Sequence, residues 1–304
     1  MLHWKVRDSS YLRERARVNS TIAVTGATGA LGGRIARSLA RSGVRQLLLG
    51  RNPSAIPVLP RSERRGPAAY SDTPAMREAL DGADTLVLIS GHPTGRRLEE
   101  HANAIEAGLS RGITRVLYVS LVGAAAVATY RNARDHWLTE QFLAGIGVRH
   151  TIFRAGFYGA TPAALADENL LIAGPAGTGR AAFTTHDDIA NVISVVAQDS
   201  STRYDGETLE ITGPEALSLE EAVAHIALAT GRPYRYQPET LEEAFSRRWR
   251  SGISGNQIES WISWYQAIAR GELATVTNTV HQITGAPATP IAQSGWWPEP
   301  NTAY

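Results

Sequence analysis

Apolar positions along the chain alternate between two patterns. Thr21 to Thr25 is a short apolar run that ends at a glycine, as a strand buried on both faces does. From Ala30 to Ser42, Leu31, Ile35, Leu39 and Ala40 recur at helical spacing, and Gly43 stops the segment. A second strand is predicted over Gln46 to Leu49, closed by Gly50-Arg51-Asn52-Pro53. Ala68 to Tyr70 reads as a short third strand, Thr73 to Leu80 as a helix, and Asp84 to Ser90 as a fourth strand. Arg97 to Arg111 carries Leu98, Ala102, Ile105 and Leu109 on one helical face. Arg115 to Leu121 is predicted as a fifth strand, Ala133 to Leu143 as a helix and Val148 to Arg154 as a sixth strand.

Strands alternating with helices of this length predict an α/β domain with a parallel sheet and right-handed crossovers. Beyond Arg154 the rhythm loosens. Leu165 to Gly179 is rich in Gly and Ala, Thr185 to Ala197 reads as an apolar helix, and Thr208 to Thr212 as another strand. Ser218 to Thr230 is a predicted helix with Ser218 as cap and Glu221 three residues on.

Composition narrows the function classes. The chain has 304 residues, 43% hydrophobic and 19% charged, with a formal charge of +1, so no overall field points to nucleic acid or an anionic membrane. It contains no cysteine, which removes disulfides and thiol chemistry and agrees with a reducing, cytoplasmic setting. No apolar run reaches the roughly 18 residues that span a bilayer. Residues 1–19 carry five basic side chains but no apolar stretch of a secretory signal, and are expected to be an N-terminal extension or a basic contact arm.

The candidate chemistry begins at Thr25-Gly26-Ala27-Thr28-Gly29-Ala30-Leu31-Gly32, between the first strand and the first helix. Gly26 permits a tight turn, Gly29 lets backbone approach a pyrophosphate, and Gly32 lets the helix pack closely on the strand. Free amides at the helix start then meet the phosphates. At the end of the second strand, where an acidic residue would accept from the ribose 2′-OH of NAD, the chain has Arg51, which suits a 2′-phosphate. The expected cofactor is therefore NADP(H), with Arg34 as a candidate second cation.

The G-x-x-G-x-x-G spacing is that of short-chain dehydrogenases, and the whole turn resembles that of the atypical NmrA-like branch, including bacterial type 2 quinone oxidoreductases and triphenylmethane reductases. Further likeness lies in Arg51-Asn52-Pro53, Leu88-Ile89-Ser90, Tyr118-Val119-Ser120-Leu121, His136 with Glu140, Ile152 to Tyr158 and Ile283 to Pro287. The resemblance implies a Rossmann-type doubly wound parallel sheet with a small C-terminal substrate lobe. It divides the chain into an extension (1–19), a dinucleotide-binding core (20–158), and a segment that completes the sheet and forms the lobe (159–304). It places Gly26, Thr28, Gly29, Ala30, Leu31, Gly32, Arg51, Ser90, Gly91 and Ser120 against the cofactor, and Ala155 to Tyr158 near the nicotinamide.

One departure matters. The Tyr-x-x-x-Lys of short-chain dehydrogenases is absent: Tyr130-x-x-x-Arg134 keeps only the spacing, and the family's usual lysine aligns with Gln141. Hydride delivery to a conjugated acceptor, whose charge is delocalised, relies instead on positioning. Tyr158 is the first candidate proton donor or aromatic wall, with Ser120, Tyr130 and His92 around it. No His and carboxylate set has metal-ligand spacing. Trp249, Trp261, Trp264, Trp296 and Trp297 are expected either to wall a flat aromatic substrate or to form lobe core and oligomer interface, a homodimer being the oligomer in view. The leading expectation is an NADPH-dependent oxidoreductase acting on a quinone or other conjugated small molecule. The alternatives are a non-catalytic NADP(H) sensor and a dehydratase or cyclase of specialised metabolism on the same fold.

Overall fold

The computed structural model describes residues 20–91, 94–250 and 254–300. Seven parallel strands form the central sheet in the order β3-β2-β1-β4-β5-β6-β9. These are β1 (Thr21–Val24), β2 (Arg45–Leu49), β3 (Ser62–Arg65), β4 (Thr85–Ile89), β5 (Arg115–Leu121), β6 (Arg149–Ala155) and β9 (Thr208–Ile211). The order reverses direction between β1 and β4, the switch point at which open α/β sheets bind ligands outside the strand C-termini.

Both faces of this sheet are covered, which is why its central strands are apolar throughout rather than alternating. Ile22, Val24, Val87, Leu117 and Val119 face one way, toward α1 (Ala30–Arg41) and α6 (His186–Gln198). Ala23, Leu86, Leu88, Val116 and Tyr118 face the other way, toward α2 (Thr73–Leu80), α3 (Arg97–Leu109) and α4 (Arg131–Ile146). Each fully buried aliphatic side chain contributes on the order of 1.5–3 kcal/mol. The exception to the apolar pattern is β3, Ser62-Glu63-Arg64-Arg65, which pairs only with β2 at the sheet edge. The expectation of a strand at Ala68 to Tyr70 is thus corrected: an edge strand facing water needs no apolar run. Ala68 and Tyr70 instead line the crevice described below.

After β6 the chain makes α5 (Thr161–Leu165), β7 (Leu171–Gly174) and β8 (Arg180–Ala181) before α6 and β9 return it to the sheet. Beyond β9 lie β10 (Leu217–Ser218), α7 (Leu219–Thr230), β11 (Arg235–Pro238), α8 (Leu241–Arg250), α9 (Gly255–Ala269) and α10 (Thr279–Thr284). The capping box expected at Ser218 and Glu221 is formed in full. Two small sheets, β7 with β11 and β8 with β10, pack with α9 around Phe183, Leu217, Trp264 and Tyr265. The last residues then fold back over the strand C-termini. Asp188 at the start of α6 accepts from both the amide and the hydroxyl of Thr289, at 2.8 and 3.0 Å. Glu299 pairs with Arg232 at 3.2 Å. Trp296 and Trp297 are thereby held above the sheet. No helix among the described residues is long and apolar enough to cross a membrane.

Candidate active site

Two cavities of about 700 Å³ each open at the C-terminal ends of the strands. The first is built around the glycine turn and is lined by Gly26, Thr28, Gly29, Ala30, Leu31, Gly32, Arg51, Ser90 and Gly91. Gly26 has φ +61°, a left-handed conformation that a side chain disfavours. A Cβ on Gly32 would stand 2.3 Å from the Gly26 carbonyl oxygen, so only glycine lets α1 start this close to the turn. Gly29 caps α1 without a side chain, and no acidic residue occupies the first turn. The amides of Ala30, Leu31 and Gly32 have no acceptor among the described residues. Unpaired donors, a positive helix end and a backbone stripped of side chains are what a pyrophosphate requires. The groups present therefore fit the dinucleotide that the turn implies.

Thr25 secures the turn from below. Its hydroxyl donates to the Val87 carbonyl (3.2 Å) and accepts from the Ile89 amide (2.9 Å) and from Tyr70 (2.7 Å). Arg51 is exposed at the rim, with no ion-pair partner among the described residues. Arg34 does not join it. Its guanidinium donates to Asp187 at 2.9 Å and to the Ala30 carbonyl, and lies 5.2 Å from the Trp296 ring centre. The candidate second cation is thus engaged by Asp187 at the start of α6 and by the returning C-terminus.

The second cavity adjoins the first and shares Ile89, Ser90, Gly91, Tyr158 and His186 with it. Its far wall is aromatic, from Tyr130, Phe157, Trp296 and Trp297. Of the five tryptophans singled out in the sequence, Trp296 and Trp297 thus line the cavity. Trp264 is lobe core, Trp261 lies under Arg248, and Trp249 is exposed beside Phe245. Tyr158 stacks on His186 with ring centres 4.1 Å apart, and its hydroxyl has no partner among the described residues. Burial pushes that hydroxyl up to about 12, so Tyr158 stays protonated. Burial, with Arg34 nearby, holds His186 down at about 4, so this ring is neutral.

Ser120 lines the second cavity rather than the glycine crevice, and its hydroxyl donates to Glu140 at 2.5 Å. Arg154 clamps the same carboxylate through two bonds of 3.0 and 2.6 Å, and Glu140 raises the Arg154 pKa in return. Tyr130 caps α4 and accepts from Asn132 at 2.8 Å. Arg134, at the lysine spacing, donates to the Ala128 carbonyl at 2.6 Å. His92 lies outside the described residues.

Two groups escaped the sequence reading. Tyr70 reaches the glycine turn from an irregular segment with no local signal. His186 follows the helix cap Thr185, whose hydroxyl accepts from the Asp188 amide, and that cap was the available clue. His136, read as one half of a pair with Glu140, binds Tyr118 instead, Nδ1 to hydroxyl at 2.8 Å. Burial, reinforced by Arg97 and His101, holds its pKa well below the ordinary imidazole value. No group of three or more metal-ligating side chains occurs among the described residues.

The geometry agrees with comparisons to known proteins. Residues 18–278 match the NmrA-like family. The chain belongs to that family. Quinone oxidoreductase 2 of Escherichia coli is 30% identical over 90% of this chain and 96% of its own length. An NAD(P)H azoreductase of Xenophilus azovorans is 26% identical over 90% and 96%. Among solved structures, the E. coli NADPH-dependent quinone oxidoreductase complexed with NADPH superposes with a TM-score of 0.75 at 28% identity, over 90% of this chain and 97% of that one. NmrA itself, a negative transcriptional regulator crystallised with NAD, shares the fold at 14% identity and a TM-score of 0.72. The first two relatives, covered over nearly their full length, are named as an oxidoreductase and a reductase.

Proposed function

We propose that this NmrA-like protein is an NADPH-dependent oxidoreductase that reduces a quinone or another conjugated, flat small molecule. The observation that carries this reading is the continuity of the two cavities: a phosphate-fitting crevice opens, across Tyr158 and His186, onto a chamber walled by aromatic rings. Ala30, Leu31 and Gly32 supply amides to the pyrophosphate and Arg51 supplies a cation to the 2′-phosphate. When bound, the nicotinamide supplies a hydride. Trp296, Trp297 and Phe157 hold a planar acceptor beside it and exclude water, and Tyr158 presents a protonated hydroxyl at the boundary.

Gln141 in the place of the family's usual lysine gives a sensing role its one specific support. The two readings separate in a single experiment. NADPH consumption is followed with a panel of benzoquinones, naphthoquinones and enones. Turnover on at least one class supports the enzyme. Tight NADPH binding with no turnover on any would favour the sensor. In the same assay Tyr158→Phe is expected to lower kcat about tenfold or more, and full activity would remove its donor role.

A further inference from the structure

The cavity wall contains a second hydrogen-bond donor, with the lysine absent. His136 lines the acceptor cavity from the first turns of α4. Its Nδ1 is engaged by the Tyr118 hydroxyl at 2.8 Å, and Ser90 and Thr139 also bond to that hydroxyl. Tyr118 is fully buried and borders His101, whose own Nδ1 is 3.0 Å from the Thr139 hydroxyl. Nε2 of His136 has no partner among the described residues, yet it is not sealed off with the buried unpaired atoms. It is the one side of the ring left for a ligand.

We propose that His136 is a catalytic residue that acts as a neutral imidazole. Tyr118 donates to Nδ1, which fixes the proton on Nε2, and Nε2–H stabilises the oxygen anion that develops on a carbonyl acceptor. This rests on the oxidoreductase reading above and deepens it. The acceptor gains a hydride and with it two electrons as the reduced nicotinamide is oxidised. One carbonyl oxygen becomes an oxyanion, and Tyr158 supplies the proton that completes the hydroquinone, regaining its own from solvent once the product leaves. His136 keeps its own proton throughout, so no imidazolate forms. A neutral ring suits this task because its donor is fixed in advance and surrenders no charge to the product. Arg97, buried beside the cluster and bonded to the Gly91 carbonyl at 3.3 Å, opposes a positive charge on the ring.

The test compares two acceptors and reads the tautomer directly. A quinone develops negative charge on oxygen when it takes hydride. A cationic triarylmethane dye becomes a neutral leuco form and develops none. In His136→Asn the side-chain amide can still meet Tyr118 but no longer reaches the cavity. The ratio of quinone to dye kcat is expected to fall at least tenfold, consistent with loss of one oxyanion donor. His136→Gln, which returns an N–H to the Nε2 position, is expected to recover part of that ratio. A ratio within twofold of the parent in both variants would overturn the proposal. Nitrogen NMR of histidine-labelled protein with NADPH bound is expected to show His136 protonated on Nε2 alone, and a proton on Nδ1 would overturn it even if no dye is turned over. Failure of the parent on every acceptor, with the Nε2–H tautomer present, would instead sink the oxidoreductase reading.

Discussion

The glycine crevice and the aromatic chamber lie side by side at the C-terminal ends of the strands, yet they are made differently. The crevice is framed by one run of consecutive residues, Thr25 to Gly32, in which three glycines leave the backbone bare at the close approaches. The chamber gathers β5, α4, the turn after β6, the start of α6 and a C-terminal segment more than a hundred residues further on. One is a local steric solution and the other a tertiary one. A substitution in the first should therefore act through backbone geometry, and a substitution in the second through packing and charge.

The strongest way to break that contrast is Gly32→Val. Its Cβ would meet the Gly26 carbonyl at 2.3 Å, and neither backbone can yield without moving α1. We expect loss of NADPH binding by fluorescence titration and a cost of about 3 kcal/mol in denaturant unfolding. Normal affinity would show that the turn tolerates a side chain and that backbone approach is not its basis. Arg51→Ala should be gentler and selective. The affinity for NADPH should drop about 10- to 100-fold relative to NADH, as for a charged hydrogen bond of about 1.5–3 kcal/mol. An unchanged preference would remove Arg51 from the cofactor site.

Acid should act on the chamber side. His101, His136 and His186 are all neutral, with burial holding His101 near 3 and His186 near 4. Unfolded imidazoles take up protons below about pH 6.5 while these do not, so the unfolded state binds more protons and stability falls as pH drops. The loss begins near pH 6.5 and levels off only at the folded values. It should reach about 1–2 kcal/mol per imidazole at pH 5, read as a declining Tm between pH 7 and pH 5. A flat Tm would mean that these rings ionise freely. The smallest effect is expected for Trp296→Ala, which removes a ring against His186 and Arg34. Acceptor KM should rise severalfold, about 1 kcal/mol, with NADPH affinity shifted less. An equal change in both would erase the distinction between the two regions.

The same contrast explains what could be read from the chain. The parallel sheet was legible because strands buried on both faces must be apolar, and the glycine turn because each glycine has a local steric reason. β3 was not, since an edge strand can be as polar as Ser-Glu-Arg-Arg. The engagement of Arg34 could not be read locally, because its partners Asp187 and Trp296 are far away in sequence. Tyr158 stood out because Ile152 to Tyr158 resembles the family's segment at the end of the sixth strand. His186 and Tyr70 came into view only with tertiary contacts.

The Tyr158–His186 stack has one more consequence. Because this pair borders both cavities, a ligand that displaces it from one side reshapes the other. Cofactor and acceptor are then thermodynamically linked, and reciprocity requires each to alter the other's dissociation constant by the same factor.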